Sequence, residues 1–172
     1  MTAQADALEL LSADHRGAMA LCHALAALRA RGAGGAEMFD LVTRLCLLQR
    51  VHGRIEIEVF YPGVRAPIGK GVLLDQAQAD DWVLKDLIAD VLAMRPADAG
   101  YGQGVETLCR AIANHVTEQE EVIFPSARQA GIDLAALGVE IAQRRLELLA
   151  QGLSEGARLA AEDEAGDPVG RQ

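Results

Sequence analysis

Apolar residues recur at three- and four-residue steps through long segments without proline, and this spacing constrains the fold more than any other feature. The segments run over about Asp6 to Arg31, Ala36 to Phe60, Leu73 to Met94 and Val105 to Phe124. Each is long enough for an amphipathic helix of roughly 30 Å. Helices of similar length joined by short loops predict an all-α, up-down-up-down four-helix bundle.

Proline and glycine mark the expected helix ends. Pro62 is expected to end the second helix, with a loop over residues 63–71, and Pro125 is expected to end the fourth. A fifth helical segment, about Leu134 to Ala161, is expected to pack outside the bundle or along its edge. These limits predict one domain over residues 1–161 and a flexible tail over residues 162–172.

The composition disfavours several classes of protein. Aromatic residues make up only 3% of the 172 residues, which disfavours an all-β fold. The net charge of −9 disfavours binding to nucleic-acid phosphates. Neither a basic signal peptide nor an apolar run of about 20 residues is visible, so we expect a cytoplasmic protein with no membrane partner. The three cysteines are expected to be small buried groups rather than disulfide partners, and a homo-oligomer through helix one or five is compatible with the apolar content.

Polar residues on the apolar stripes point to a buried site. His52 and Glu56 are four residues apart on the inward face of the second helix. His15, early in the first helix, and His115, late in the fourth, fall at the same level of an antiparallel bundle. Imidazole and carboxylate groups together suit iron, manganese or zinc, so the pattern predicts a metal site. The alternative is a polar layer held by hydrogen bonds alone. His23 lies about 12 Å further along its helix and is expected at the surface.

Four segments of the chain resemble hemerythrin-like proteins, the HHE cation-binding group. They are L-L-S-A-D-H ending at His15, the H-x-x-x-E from His52 to Glu56 with F-Y-P after it, D-D-W-V-L-K-D-L-I in the third helix, and H-V-T-E-Q-E-E-V-I-F-P from His115. The resemblance covers about residues 9–150. It implies a four-helix bundle with a non-haem di-iron centre. Members of the group bind oxygen, respond to oxygen, nitric oxide or iron, or help to repair iron centres.

The resemblance also implies a set of metal ligands, with two departures. His15, His52 and Glu56 match the ligands of one iron, and His115 matches the histidine of the fourth helix. The third-helix histidine of the group falls at Asp81, or at Trp82 if the register shifts by one residue. The carboxylate that the group carries four residues after this histidine falls at Gln119. Glu118 and Glu120 flank Gln119, and Glu120 is the candidate substitute.

Three outcomes remain open for the site. It could hold two iron ions with Asp81 as an unusual ligand, or one ion, iron or zinc, on His15, His52, Glu56 and His115. It could also be a metal-free bundle that serves as a helical interaction module. An enzyme is the least favoured, because no nucleophile–base pair or oxyanion element is visible. The function expected from the resemblance is metal binding linked to a small ligand such as oxygen or nitric oxide, or to iron handling.

Overall fold

The regular structure of the described chain is entirely helical. The computed structural model describes residues 5–32, 35–69 and 71–165, with side chains as far as residue 152, and no strand occurs in these ranges. In chain order the helices are α1 (Ala7–Ala30), α2 (Ala36–Ile55), α3 (Tyr61–Ile68), α4 (Gly71–Ala93), α5 (Tyr101–Glu118), α6 (Phe124–Gln129) and α7 (Leu134–Ala165). The predicted bundle of four long helices with an additional C-terminal helix is confirmed.

Two π-helical turns carry the chain past the prolines that were expected to end helices. A π turn at Glu56–Phe60 joins α2 to α3, and another at Gln119–Ile123 joins α5 to α6. The predicted ends at Pro62 and Pro125 and most of the predicted 63–71 loop were therefore wrong. In each turn an N–H bonds to the carbonyl five residues back, which widens the helix. We attribute the tolerance of the prolines to this widening, because it displaces the carbonyl that a proline ring would otherwise strike.

The core consists of two apolar clusters with a polar layer between them. One cluster contains Leu8, Leu11, Ile55, Phe60, Tyr61, Phe124 and Ile141. The other contains Ala18, Cys22, Leu45, Cys46, Leu108 and Ile112. The buried histidines lie at the level between the two clusters in sequence and in space, as His15 does between Leu11 and Ala18. The polar layer is thus shielded from solvent on both sides along the bundle axis.

Helix α7 packs along α1 and α2, outside the bundle as expected. Gly138 lies so close to the start of α1 that an added Cβ would be 2.9 Å from the Ala5 carbonyl oxygen and the Ala7 nitrogen. The helix continues to Ala165, beyond the expected end at Ala161. The domain boundary at residue 161 stays a prediction, and residues 166–172 of the predicted tail lie outside the described residues.

The described structure places the three cysteines and His23. All three cysteines are free thiols, with Cys22 and Cys46 buried and Cys109 partly buried. Within the ranges described above, none of the helices combines the length and the apolar content that crossing a bilayer requires. His23 is exposed on α1, as its distance from His15 predicted.

Candidate metal centre

Four side chains from three helical segments converge in the polar layer. His15 comes from α1, His52 from the last turn of α2, Glu56 from the start of the first π turn, and His115 from the last turn of α5. One nitrogen or oxygen from each lies within 4.8 Å of the other three, and all four residues are buried. The imidazole centroids are 4.9 to 5.7 Å apart.

The inner atoms of this cluster fit a metal ion. The Nε2 atoms of His52 and His115 each lie 3.3 Å from Oε2 of Glu56. These two contacts lack hydrogen-bond geometry. Oε2 of Glu56 and the Nε2 atoms of the three buried histidines therefore have no hydrogen-bond partner in the described chain, and neither does Nε2 of His15 through any other contact. Such an atom costs about 1–3 kcal/mol, so four around one point require a compensating group. A cation bound by three imidazole nitrogens and a carboxylate would supply it.

Each histidine presents its outer nitrogen to a carboxylate. Nδ1 of His15 is 2.9 Å from Glu120, and Nδ1 of His52 is 3.2 Å from Asp14. Nδ1 of His115 lies 3.5 Å from Asp81. A carboxylate beside Nδ1 favours the tautomer with the proton on that nitrogen, which leaves the Nε2 lone pair free to bind a cation.

The pKa shifts indicate that the cluster favours positive charge beside Glu56, because Glu56 raises the pKa of both His52 and His115 against the effect of burial. Burial and the neighbouring His52 lower the pKa of His15 to about 4. Burial also opposes protonation of His52, but the charges of Glu56 and Asp14 outweigh it and raise its pKa to about 10. Burial alone would raise the pKa of Glu56, yet His52 and His115 hold it well below its ordinary range. A proton on His52 or a metal cation can supply the charge that Glu56 requires.

The remaining predicted ligands lie outside this cluster of four. Asp81 is buried whereas Trp82 is 48% exposed, so Asp81 is the one of these two α4 residues that faces the site. Burial and the charge of Glu56 raise the pKa of Asp81 to about 8. Glu120 lies on the outer side of His15, where it also accepts a 2.7 Å hydrogen bond from Ser12. The structure therefore places Asp81 and Glu120 against histidines rather than among the convergent atoms.

Gln119 occupies the position that corresponds to Glu56 in the other half of the bundle. Its Nε2 donates hydrogen bonds of 2.8 Å to Oε1 of Glu56 and to the Tyr61 hydroxyl. A carboxylate oxygen only accepts hydrogen bonds, so the amide must turn its NH₂ group toward Glu56. Both Gln119 and Tyr61 are buried, and the Tyr61 hydroxyl extends this contact from the polar layer to the first apolar cluster.

Two residues of the centre escaped the sequence analysis. Arg145 of α7 donates to both oxygens of Asp14, at 2.9 and 2.6 Å, and so holds the carboxylate that faces His52. Asp14 directly precedes His15 in the sequence. The helical spacing of α1 alone does not predict that its side chain contacts His52 of α2. Arg145 lies in a mixed-charge stretch that is typical of a solvated or packing surface. Its role depends on how α7 packs.

Comparison with known proteins shows the family and the fold of the chain. A family model described as the hemerythrin HHE cation binding domain matches residues 6–165. This chain belongs to the hemerythrin HHE family. Its fold resembles the crystal structure of an HHE cation binding domain-containing protein from Mycobacterium kansasii, with a TM-score of 0.74 and 22% identity over 88% of this chain and 91% of that one. A search of curated proteins gave no match. The resemblance to hemerythrin-like proteins inferred from the motifs is confirmed.

Proposed function

We propose that this HHE protein binds one iron ion through His15, His52, Glu56 and His115, and that the ion binds a small ligand such as oxygen or nitric oxide. The observation that carries the proposal is the convergence of three Nε2 atoms and Oε2 of Glu56, all buried and without hydrogen-bond partners in the described chain. Four protein donors leave coordination positions open on an iron ion. A bound iron ion would supply the ligand-binding chemistry.

The chain's own residues orient the donors and exclude water. Asp14, Glu120 and Asp81 each face an outer histidine nitrogen, and Arg145 fixes Asp14 in turn. The apolar clusters above and below the polar layer keep bulk water away from it. A buried donor set that is already oriented loses little conformational entropy when it binds a cation.

We propose that a small ligand enters through a cleft between α2 and α4. It has a volume of about 250 Å³, and its walls include Gln49, Gly53, Ile57, Asp81, Trp82 and Leu84. Asp81 belongs both to this cleft and to the surroundings of His115. The cleft is large enough for a diatomic molecule, and much of its wall is apolar, which suits oxygen and nitric oxide.

Metal analysis of protein expressed with iron tests the proposal. We expect about one ion per chain, and we expect His52→Ala to lower both the metal content and the melting temperature, because bound metal contributes folding free energy. His23→Ala is the matched control, since His23 is exposed on α1 away from the site.

Negligible metal in the wild-type protein, together with a melting temperature that a chelator leaves unchanged, would contradict the proposal. That result would support the alternative of a metal-free helical interaction module.

The cytoplasmic location also remains a prediction, and fractionation of the cells that express the protein would test it.

A further inference from the structure

The two π turns form an internal repeat in which Gln119 is the counterpart of Glu56. Each turn begins four residues after a buried histidine, at Glu56 after His52 and at Gln119 after His115. Both residues are buried, with 0% and 1% of their surfaces exposed. The repeat therefore places two similar side chains opposite each other in the polar layer, one with a carboxylate and the other with an amide.

The amide blocks the second oxygen of Glu56. Oε2 of Glu56 faces the histidines, whereas Oε1 accepts a 2.8 Å hydrogen bond from Nε2 of Gln119. A second cation would need Oε1 as a ligand. An amide NH₂ group is a donor only, so it can occupy this oxygen but cannot help to bind a cation beside it.

Other oxygen atoms surround the same place. The Tyr61 hydroxyl accepts a 2.8 Å hydrogen bond from the same Gln119 nitrogen. Oδ2 of Asp81 and Oε1 of Gln119 are both buried without a hydrogen-bond partner in the described part of the chain. Asp81 and Tyr61 are close enough to influence each other's pKa values. Oxygen atoms are thus already present around Gln119, and its amide lies between Glu56 and the Tyr61 hydroxyl.

We infer that Gln119 is the residue that limits this centre to one metal ion, and that a carboxylate at position 119 would open a second, oxygen-rich cation position between Glu56 and Asp81. The inference rests on the proposed function, because it assumes that the first ion binds at the histidines. An oxygen-rich position favours a hard cation such as Mn²⁺.

Manganese binding to three purified proteins tests the inference. Wild type, Gln119→Glu and Gln103→Glu are first freed of metal with a chelator and then titrated with Mn²⁺. Gln103→Glu is the matched control, because it makes the same substitution at an exposed position of α5. We expect about one ion per chain for wild type and for Gln103→Glu, and about two for Gln119→Glu.

The electron paramagnetic resonance spectrum gives a second readout that does not depend on activity. Two Mn²⁺ ions that share the Glu56 carboxylate should show magnetic coupling, which isolated ions lack. We also expect Gln119→Glu to have a lower melting temperature than wild type without metal, because two carboxylates then meet, and to recover with Mn²⁺. If Gln119→Glu does not fold, Gln119→Asp places a shorter carboxylate there and should also bind about two ions.

The outcomes separate the two proposals. One ion in wild type and still one in both carboxylate variants would overturn the role of Gln119 while leaving the proposed function intact. Two ions in wild type would also overturn it, since the amide would then not exclude the second ion. No bound ion in any of the proteins, with Fe²⁺ as well as with Mn²⁺, would overturn the proposed function, and the inference would fail with it.

Discussion

His52 and His15 differ in how exposed the carboxylate beside the outer nitrogen is. The Asp14 side chain, which faces His52, is only 7% exposed and is fixed by a bidentate contact from Arg145. The Glu120 side chain, which faces His15, is 38% exposed. Because solvent weakens a charge interaction, His52 should depend on its carboxylate more strongly than His15 does.

Asp14→Asn should weaken metal binding by roughly 10- to 100-fold, the usual effect of losing a carboxylate behind a metal-binding histidine. The substitution keeps the side-chain volume but removes the charge that His52 and Arg145 share. Competition with a chelator of known affinity measures the change. Glu120→Gln is the comparison and should have a smaller effect. Equal affinities for Asp14→Asn and wild type would show that Asp14 does not support the metal site.

At the scale of helices, α7 completes the site from outside the bundle. It brings Arg145 onto Asp14 and Arg144 onto Glu58, the latter at 2.6 Å. This position depends on the close approach of Gly138 to the backbone at the start of α1. A side chain at residue 138 would push α7 away and loosen the contact between Arg145 and Asp14.

Gly138→Ala should therefore lower the free energy of unfolding, by about 1–3 kcal/mol, because the new Cβ meets backbone that cannot rotate away. Gly152→Ala is the matched control in the same helix, since nothing lies within 4 Å of a Cβ there. It should stabilise the protein by up to about 1 kcal/mol through helix propensity. Urea denaturation of both variants measures the difference. An equal increase in the free energy of unfolding for both variants would show that α7 does not pack closely against α1 at Gly138.

The cleft between α2 and α4 is also formed by packing of helices, and Gly53 offers a way to narrow it. Gly53 lines the cleft, and a Cβ at this position would have no neighbour within 4 Å. Gly53→Leu should slow nitric oxide binding to the iron-loaded protein several-fold, whereas Gly53→Ala should leave the rate close to that of wild type. Stopped-flow absorbance measures both, with metal content checked because His52 is adjacent. Equal rates for the two variants would point to another entry route.

At the scale of the whole molecule, the buried charges link stability to pH and to metal. The pKa of His52 rises from 6.5 to about 10 on folding, so its stabilising contribution is complete below pH 6.5 and is lost as the pH approaches 10. The pKa of Asp81 rises from 3.8 to about 8, so the fold favours its protonated form and loses stability between these values. Both shifts make the metal-free protein less stable as pH rises.

The melting temperature of the metal-free protein should therefore fall between pH 6.5 and pH 9. A bound cation replaces the proton on His52 and compensates the charges of Glu56 and Asp81, and protons compete with it less at high pH. The difference in melting temperature between metal-loaded and chelator-treated protein should thus widen over this range. Calorimetry with and without chelator measures it, and His52→Ala should reduce the dependence. If the melting temperature of the metal-free protein rises with pH instead, the raised pKa values of His52 and Asp81 do not control its stability.

The sequence by itself determined the helical periodicity, the bundle and the layer that contains His15, His52, Glu56 and His115. These follow from local rules, because spacing along a helix decides which side chains share a face. The same rules predicted helix ends at Pro62 and Pro125, and these predictions were wrong. Whether the chain forms a π turn at these places depends on how the widened helix packs in the bundle and not on proline alone.

Only the tertiary structure decided which groups meet across helices. It placed Asp14 and Arg145 behind His52, selected Asp81 over Trp82 as the buried residue, and set the Gln119 amide against Glu56. These contacts join residues that are distant in the chain, so they depend on the rotation and depth of each helix after packing. Helical spacing defines an inward face but not the partner that the face will meet.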